Sequence, residues 1–258
     1  MGGAMIAGWR DRGLTRAVVV EPARGAVAAL GLPSSIVVVD DAAAVPADFK
    51  PDIVVLAVKP QVMDAVVPPY RRFADGGAQI VSIAAGKPLA YLARQLGDAA
   101  AVIRVMPNLP ASIGRGISVA VANARTTTGG RDLAEMLLAA CGEVAWVDDE
   151  ALLDPVTALS GGGPAYVFLL AEVLAEAGVA CGLPPALARR LARVTVAGSG
   201  ELIRESTEAV ETLRQNVTSP GGTTLEALKV LMAADGIQPI FSRALAAAAR
   251  RSRELSGG

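Results

Sequence analysis

Over the first 150 residues, short valine-rich runs alternate with stretches of helical spacing. The runs are 16–21 (RAVVVE), 35–40 (SIVVVD), 52–58 (DIVVLAV), 79–84 (QIVSIA), 102–106 (VIRVM), 116–121 (GISVAV) and 144–147 (VAWV). Several are continuously apolar rather than alternating, which is the pattern of strands buried on both faces of a parallel sheet. Between them, 22–31, 61–73 and 88–96 read as helical connectors. Strand–helix alternation of this kind predicts a doubly wound, Rossmann-like α/β domain over 1–150.

The pattern changes near residue 151, after which β-branched runs give way to helices. A short helix, a Gly-rich break in TALSGGGPAY (157–166), a long helix from about 163 to 180, a helix after Pro184 and Pro185, and helices at 208–216, 223–233 and 237–254 are expected. Residues 151–258 therefore read as an all-α domain. Its long helix is apolar almost all round, which predicts burial. A helical domain of this size has little with which to bury it, so a second subunit is the expected cover.

Composition narrows the class. The formal net charge of −1 provides no basic footprint for nucleic acid and no polybasic arm for a membrane. Histidine is absent, which removes the commonest general base and the commonest metal ligand together. Cys141 and Cys181 fit neither a redox pair nor a zinc pattern and read as buried free thiols. No segment reads as a signal peptide or reaches the roughly 20 apolar residues of a membrane span, and a soluble cytoplasmic protein is expected.

Candidate chemistry gathers at strand ends. Ala57, Lys59 and Pro60 follow one buried strand, Ala84–Ala85–Gly86 another, and Met106–Asn108 a third, where open α/β sheets bind their ligands. Glu21 closes the strand 16–21, either as a ribose-binding acid or as a cap before Pro22; Arg24 faces a 2′-phosphate or solvent. Met1 and Gly2 start a run of small residues in helical order. In the C-terminal half, VTSPGGTT places Ser219, Gly221, Gly222, Thr223 and Thr224 before a helix, with hydroxyls and bare backbone N–H groups available to an anion or simply to a cap.

AVKP, MPNLPASIGRG, ALSGGGPAYVF and VTSPGGTT, in this order and spacing, resemble pyrroline-5-carboxylate reductase. The resemblance implies a dinucleotide-binding domain joined to a helical domain that forms a homodimer, with rings of dimers in many members. It implies reduction of a cyclic imine bearing a carboxylate by hydride from NADPH, with NADH the alternative. Ser219 and the backbone around Gly221, Gly222 and Thr223 would hold the carboxylate, and Thr224 would hydrogen-bond the ring nitrogen. Met1, Gly2, Glu21, Arg24, Ala57, Lys59, Pro60, Ala84, Ala85, Gly86, Met106 and Asn108 would line the dinucleotide. The imine nitrogen arrives protonated or takes its proton from water through a threonine hydroxyl, so a chain without histidine suffices.

Three departures from the family pattern stand out. Leu109 replaces a threonine and Gly162 a serine, and the chain starts at the methionine of the glycine-rich loop. It is therefore expected to be shortened at its N-terminus, with the first strand and most of that loop missing. A catalytically impaired dimer that no longer binds cofactor is the alternative reading. A hydroxyacid dehydrogenase is disfavoured: the four lysines are Lys50, Lys59, Lys87 and Lys229, none of them on a helix between 151 and 200.

Overall fold

The computed structural model describes residues 1–258 apart from Arg24, Ala26, Ala28, Ala29 and Gly258. It contains two compact units, Met1–Gly161 with Ala248–Gly258, and Gly162–Ala247. Strands do stop before 150, but the helical turns up to Gly161 and the end of the last helix pack with the sheet. Compactness therefore divides the chain later than composition does.

The first unit opens with helix α1 (Gly2–Asp11). Among the described residues seven strands follow: β1 (Ala17–Val20), β2 (Ile36–Val39), β3 (Ile53–Leu56), β4 (Gln79–Ser82), β5 (Val102–Pro107), β6 (Gly116–Ala122) and β7 (Gly142–Trp146). They lie at all seven apolar runs. β1 and β2 form a parallel pair, and the other five form one sheet in the order β3-β4-β5-β6-β7. β3, β4 and β5 are parallel, with Val54 opposite Ile80 and Ile80 opposite Val102. β5 and β6 are antiparallel, because residues 108–115 between them are too few for a crossover.

Alternation along the central strands sends side chains to two cores. Ile80 and Val102 join Leu56, Met63, Leu92 and Leu96 on one face, with helix α2 (Leu89–Leu96) above it. Val81 and Ile103 join Met5, Ala134, Leu138 and Cys141 on the other, beneath α1 and helix α3 (Thr128–Ala139). Two covered faces make the doubly wound arrangement. α1 reaches this core closely because Gly8 has no side chain: a Cβ there would lie 3.1 Å from the Ala140 carbonyl oxygen. Trp9 Nε1 donates to the Leu137 carbonyl at 2.8 Å. The connector expected over 22–31 lies in part outside the described residues. That over 61–73 is a chain of short 3₁₀ and α turns, interrupted at Pro68 and Pro69.

The expected Gly-rich break at 157–166 is instead a π turn (Thr157–Gly161) that directly continues helix α4 (Leu153–Val156). A Cβ on Gly161 would meet the terminal methyl of Met106, the movable end of a flexible side chain.

The second unit holds helix α5 (Gly163–Ala180), α6 (Pro185–Glu205), α7 (Val210–Asn216), α8 (Thr223–Leu231) and the first part of α9 (Ile237–Leu255). α5 and α6 meet through small residues, with Ala175, Ala188 and Ala192 buried and Gly178 against Ala188 and Leu183. The burial expected for α5 is not provided by this chain. Val167, Phe168, Leu169, Leu170, Val173 and Leu174 are exposed, Phe168 by 56%. By length and composition the run Glu150–Ala180 is also apolar enough to cross a membrane, contrary to the sequence reading. Glu172 and Glu176 do not lower its mean hydropathy below 1.4. Cys141 is buried as expected, but Cys181, at the C-terminal end of α5, is exposed for the same reason as that helix.

Gly161→Ala requires only that the Met106 methyl move aside. It is expected to destabilise the fold by about 1 kcal/mol or less in denaturant unfolding, whereas a larger loss would mean that Met106 is held fast.

Candidate active site

Three of the segments singled out from sequence leave the carboxyl ends of adjacent parallel strands. Ala57, Lys59 and Pro60 follow β3, Ala84–Gly86 follow β4, and Met106–Asn108 end β5. Parallel pairing places all three at one edge of the sheet. Gly2 joins them, since a Cβ on it would lie 3.0 Å from Cβ of Ala57. The N-terminus of α1, with its unpaired N–H groups, therefore opens at that edge, capped only by Met1, which offers no side-chain hydrogen bond. Ala57 and Lys59 are exposed, and Ala85 and Gly86 are partly so. Small side chains and bare backbone are what a dinucleotide needs in order to lie close to a sheet edge.

Glu21 follows β1 at the carboxyl end of the two-stranded sheet. Its Oε1 accepts the Ala23 N–H at 2.9 Å, so the capping role is realised with one of its two oxygens. Arg24 lies outside the described residues. Asn108 is largely committed to structure: its Oδ1 accepts the Ile117 N–H at 3.0 Å and its Nδ2 donates to Ser160 Oγ at 3.2 Å. This amide binds the turn after β5 to the π turn, which leaves backbone rather than side chain for a ligand at 106–108.

A polar cluster braces the same edge. Tyr91 donates to Asp64 Oδ1 at 2.8 Å, Lys87 Nζ lies 3.8 Å from Asp64 Oδ2, and the Lys87 ammonium stands 4.2 Å from the centre of the Tyr91 ring. Asp64 lies just beyond Lys59–Pro60, and Lys87 follows Gly86, so the cluster links those two segments. Burial, and then the hydrogen bond to Asp64, push the Tyr91 phenol up to about 12. In the core beneath α1 and α3, burial pushes the Cys141 thiol up while Arg12 opposes it.

Gly86 has φ +69, a conformation that side chains other than glycine rarely adopt, and a Cβ there would lie 3.0 Å from the Leu255 carbonyl oxygen. The end of α9 thus packs against this turn, anchored where buried Ser252 donates to Asp154 at 2.5 Å.

In the second unit, Ser219, Gly221, Gly222, Thr223 and Thr224 form the turn into α8. Gly222 donates its N–H to the Ser219 carbonyl at 3.0 Å, and Gly221 takes φ +69. Gly222 is the N-cap of α8 and has no side chain to cap with, so the turn does not fill the helix N-terminus as an Asp or Ser cap would. Ser219, Thr223 and Thr224 are exposed.

The sequence reading missed two features, the polar cluster and an ion pair between buried Arg104 on β5 and partly exposed Glu150. The only signal for the pair was a charged residue inside the apolar run VIRVM.

Comparison with known proteins bears on the assembled picture. A family profile described as pyrroline-5-carboxylate reductase dimerisation matches residues 150–255, which include the exposed helix α5. The pyrroline-5-carboxylate reductase of Pseudomonas aeruginosa is 40% identical to this chain, over 99% of the chain and 93% of that protein. The expected N-terminal shortening is not borne out by that alignment, and the alternative of a cofactor-less homologue loses its support. The reductase of Escherichia coli is 38% identical over 80% of this chain and 76% of that protein. Among solved structures, a Coxiella burnetii pyrroline-5-carboxylate reductase superposes with a TM-score of 0.90 at 32% identity, covering 99% of this chain and 94% of that one. A Plasmodium falciparum pyrroline carboxylate reductase with NADP bound superposes with a TM-score of 0.80 at 26% identity, with the same coverage.

The raised phenol of Tyr91 sets a pH window. Its folded pKa exceeds the unfolded value of 10.0, so the stabilisation it provides is fully present below pH 10 and is lost as pH rises through about 12. A phenolate absorbance titration of the wild type against Tyr91→Phe should reveal one tyrosine ionising near the upper value. A difference spectrum centred on the ordinary value would contradict the buried hydrogen bond to Asp64.

Proposed function

The chain belongs to the pyrroline-5-carboxylate reductase family and reduces 1-pyrroline-5-carboxylate to L-proline with NAD(P)H, the closing step of proline biosynthesis; from that premise we propose how its residues divide the work. It is a homo-oligomer, built through the dimerisation region. The assembly is a homodimer that packs through α5, with rings of dimers as its further extension, and its place is the cytoplasm. Residues 1–150 serve the cofactor, and residues 151–258 serve pairing and substrate.

The carboxylate of the imine is held at the turn into α8. Ser219 donates its hydroxyl and Thr223 its N–H from a helix end whose dipole favours an anion, while the Gly222 N–H stays on the Ser219 carbonyl and shapes the turn. Gly221 sets the path of the backbone, and the missing side chain at Gly222 keeps the place open. Thr224, in the first turn of α8, bonds the ring nitrogen and passes it a proton from water, or holds it already protonated. No stronger acid is needed for an imine nitrogen. The observation that carries this reading is the helix N-terminus at Gly222, without a side-chain cap and flanked by exposed Ser219, Thr223 and Thr224.

When bound, the nicotinamide supplies the hydride that adds to the imine carbon. The residues at the sheet edge fit such a cofactor: Gly2 and Ala57 nearly touch, and any larger side chain at Gly2 would fill the space where backbone must face a pyrophosphate. Met1, Gly2, Ala57, Lys59, Pro60, Ala84, Ala85, Gly86, Met106 and Asn108 line it, mostly with backbone. Glu21 accepts the Ala23 N–H, and an arginine three positions further along the sequence suits a 2′-phosphate, which favours NADPH over NADH. The NADP in the Plasmodium relative supports the same choice.

Imine-dependent oxidation of NADPH checks these roles. Ser219→Ala should raise the KM for the imine about tenfold, the loss of one hydrogen bond to a charged group, with the KM for NADPH unchanged. Thr224→Ala should lower kcat about tenfold to a hundredfold without abolishing turnover. Wild-type kinetics in both variants would remove this turn from the site.

A further inference from the structure

We propose that Glu150 is a positioning residue for cofactor binding, acting through the two strand-end segments that it fastens together. The inference rests on the reading that 84–86 and 106–108 line the dinucleotide.

A single carboxylate oxygen carries both attachments. Glu150 Oε1 accepts the Leu89 N–H at 2.8 Å and a hydrogen bond from Arg104 Nη1 at 2.8 Å. Leu89 is the first residue of α2, and its N-cap is Pro88, which has no side-chain group to satisfy the helix's first donors. Glu150 supplies from 61 positions along the chain what the local sequence lacks. The start of α2, and with it the Ala84–Gly86 turn just before Lys87, is thereby set by a remote acid rather than by a local cap.

Arg104 makes the second attachment. It sits in β5 two residues before Met106, and its side chain is only 7% exposed. A guanidinium buried to that extent needs an anion, and removing the anion leaves an uncompensated charge inside the sheet. Nearby, Leu89, Met106, Val119, Val121, Leu153 and Val156 pack as one apolar cluster. The cluster holds the same two segments by shape; Glu150 fixes their relative position by directed bonds. Hydrogen bonds to a charged group are short and angle-dependent, so they transmit small displacements that apolar packing absorbs.

Glu150→Gln keeps the shape and removes the charge. Its KM for NADPH is expected to rise about tenfold, the equivalent of one hydrogen bond to a charged group, while the KM for the imine changes less than twofold and kcat at saturating NADPH changes little. A residue that only supports the fold would lower the unfolding midpoint and leave the KM for NADPH where it was, and that result overturns the inference. Should Glu150→Gln not fold, Glu150→Asp retains the charge on a shorter stem and is measured in the same way. A raised KM for NADPH supports positioning, and an unchanged one overturns it. Ala85→Asp separates this inference from its premise, since it places bulk and charge in the turn itself. If Ala85→Asp still binds NADPH as the wild type does, in a direct fluorescence titration, the cofactor reading fails and this inference with it. If it loses NADPH while Glu150→Gln does not, only the role of Glu150 is refuted.

Discussion

A helix that its own chain cannot cover governs this molecule. α5 turns Ala175 and Gly178 toward α6 and leaves Phe168, Leu169, Leu170, Val173 and Leu174 in the open. Fully withdrawing one such side chain from water is worth about 1.5–3 kcal/mol, so five that are half exposed together rival the stability of a typical domain. A surface of this kind is covered by lipid or by protein. The match of residues 150–255, which include α5, to a dimerisation profile favours protein over lipid and fits the proposed cover by another copy. Glu172 and Glu176 on the same helix are easier to accommodate in a partly polar protein interface than in hydrocarbon.

The chemistry is distributed in keeping with a histidine-free chain. In the proposed division of labour, the sheet edge offers glycine, alanine and backbone to a dinucleotide, and the turn into α8 offers N–H groups and hydroxyls to a carboxylate. Neither place depends on a strongly perturbed acid or base. Rate enhancement then comes from holding two reactants in contact and excluding water, which can supply roughly 7–11 kcal/mol of the barrier. Precision of position matters more in such a site than proton affinity, and this is why the surrounding polar bonds bear on function. Asn108 ties the turn after β5 to the π turn, Lys87, Asp64 and Tyr91 tie the turn after β4 to the segment after β3, and Glu150 ties β5 to the start of α2.

Much of the fold was legible because each strand is a compact valine-rich run bounded by polar or glycine residues, and because prolines mark the starts of α5 and α6. Features that arise from long-range contact were not. The reversal of β6 depends on the shortness of 108–115, which apolar pattern alone does not weigh. The π turn at 157–161 looked like a break, because glycine at 161 signals either a loose joint or a close neighbour, and only the position of Met106 decides which. Cys181 and α5 were expected to be buried on composition, which reports the need for cover without saying which chain supplies it. The candidate site was legible as segments, since glycine, serine and threonine at strand and helix ends carry their own physical reason. The commitment of the Asn108 amide and the attachments of Glu150 were not, because their partners lie 52 and 61 residues away.

Sedimentation equilibrium of the purified chain across a dilution series, with imine-dependent NADPH oxidation assayed on the same samples, tests the account most directly. The account predicts a particle of at least two chains at every concentration where the protein is folded, and loss of activity wherever chains of 26.2 kDa appear. A folded, soluble single chain that keeps its apolar helix exposed and turns over at the full rate would contradict it.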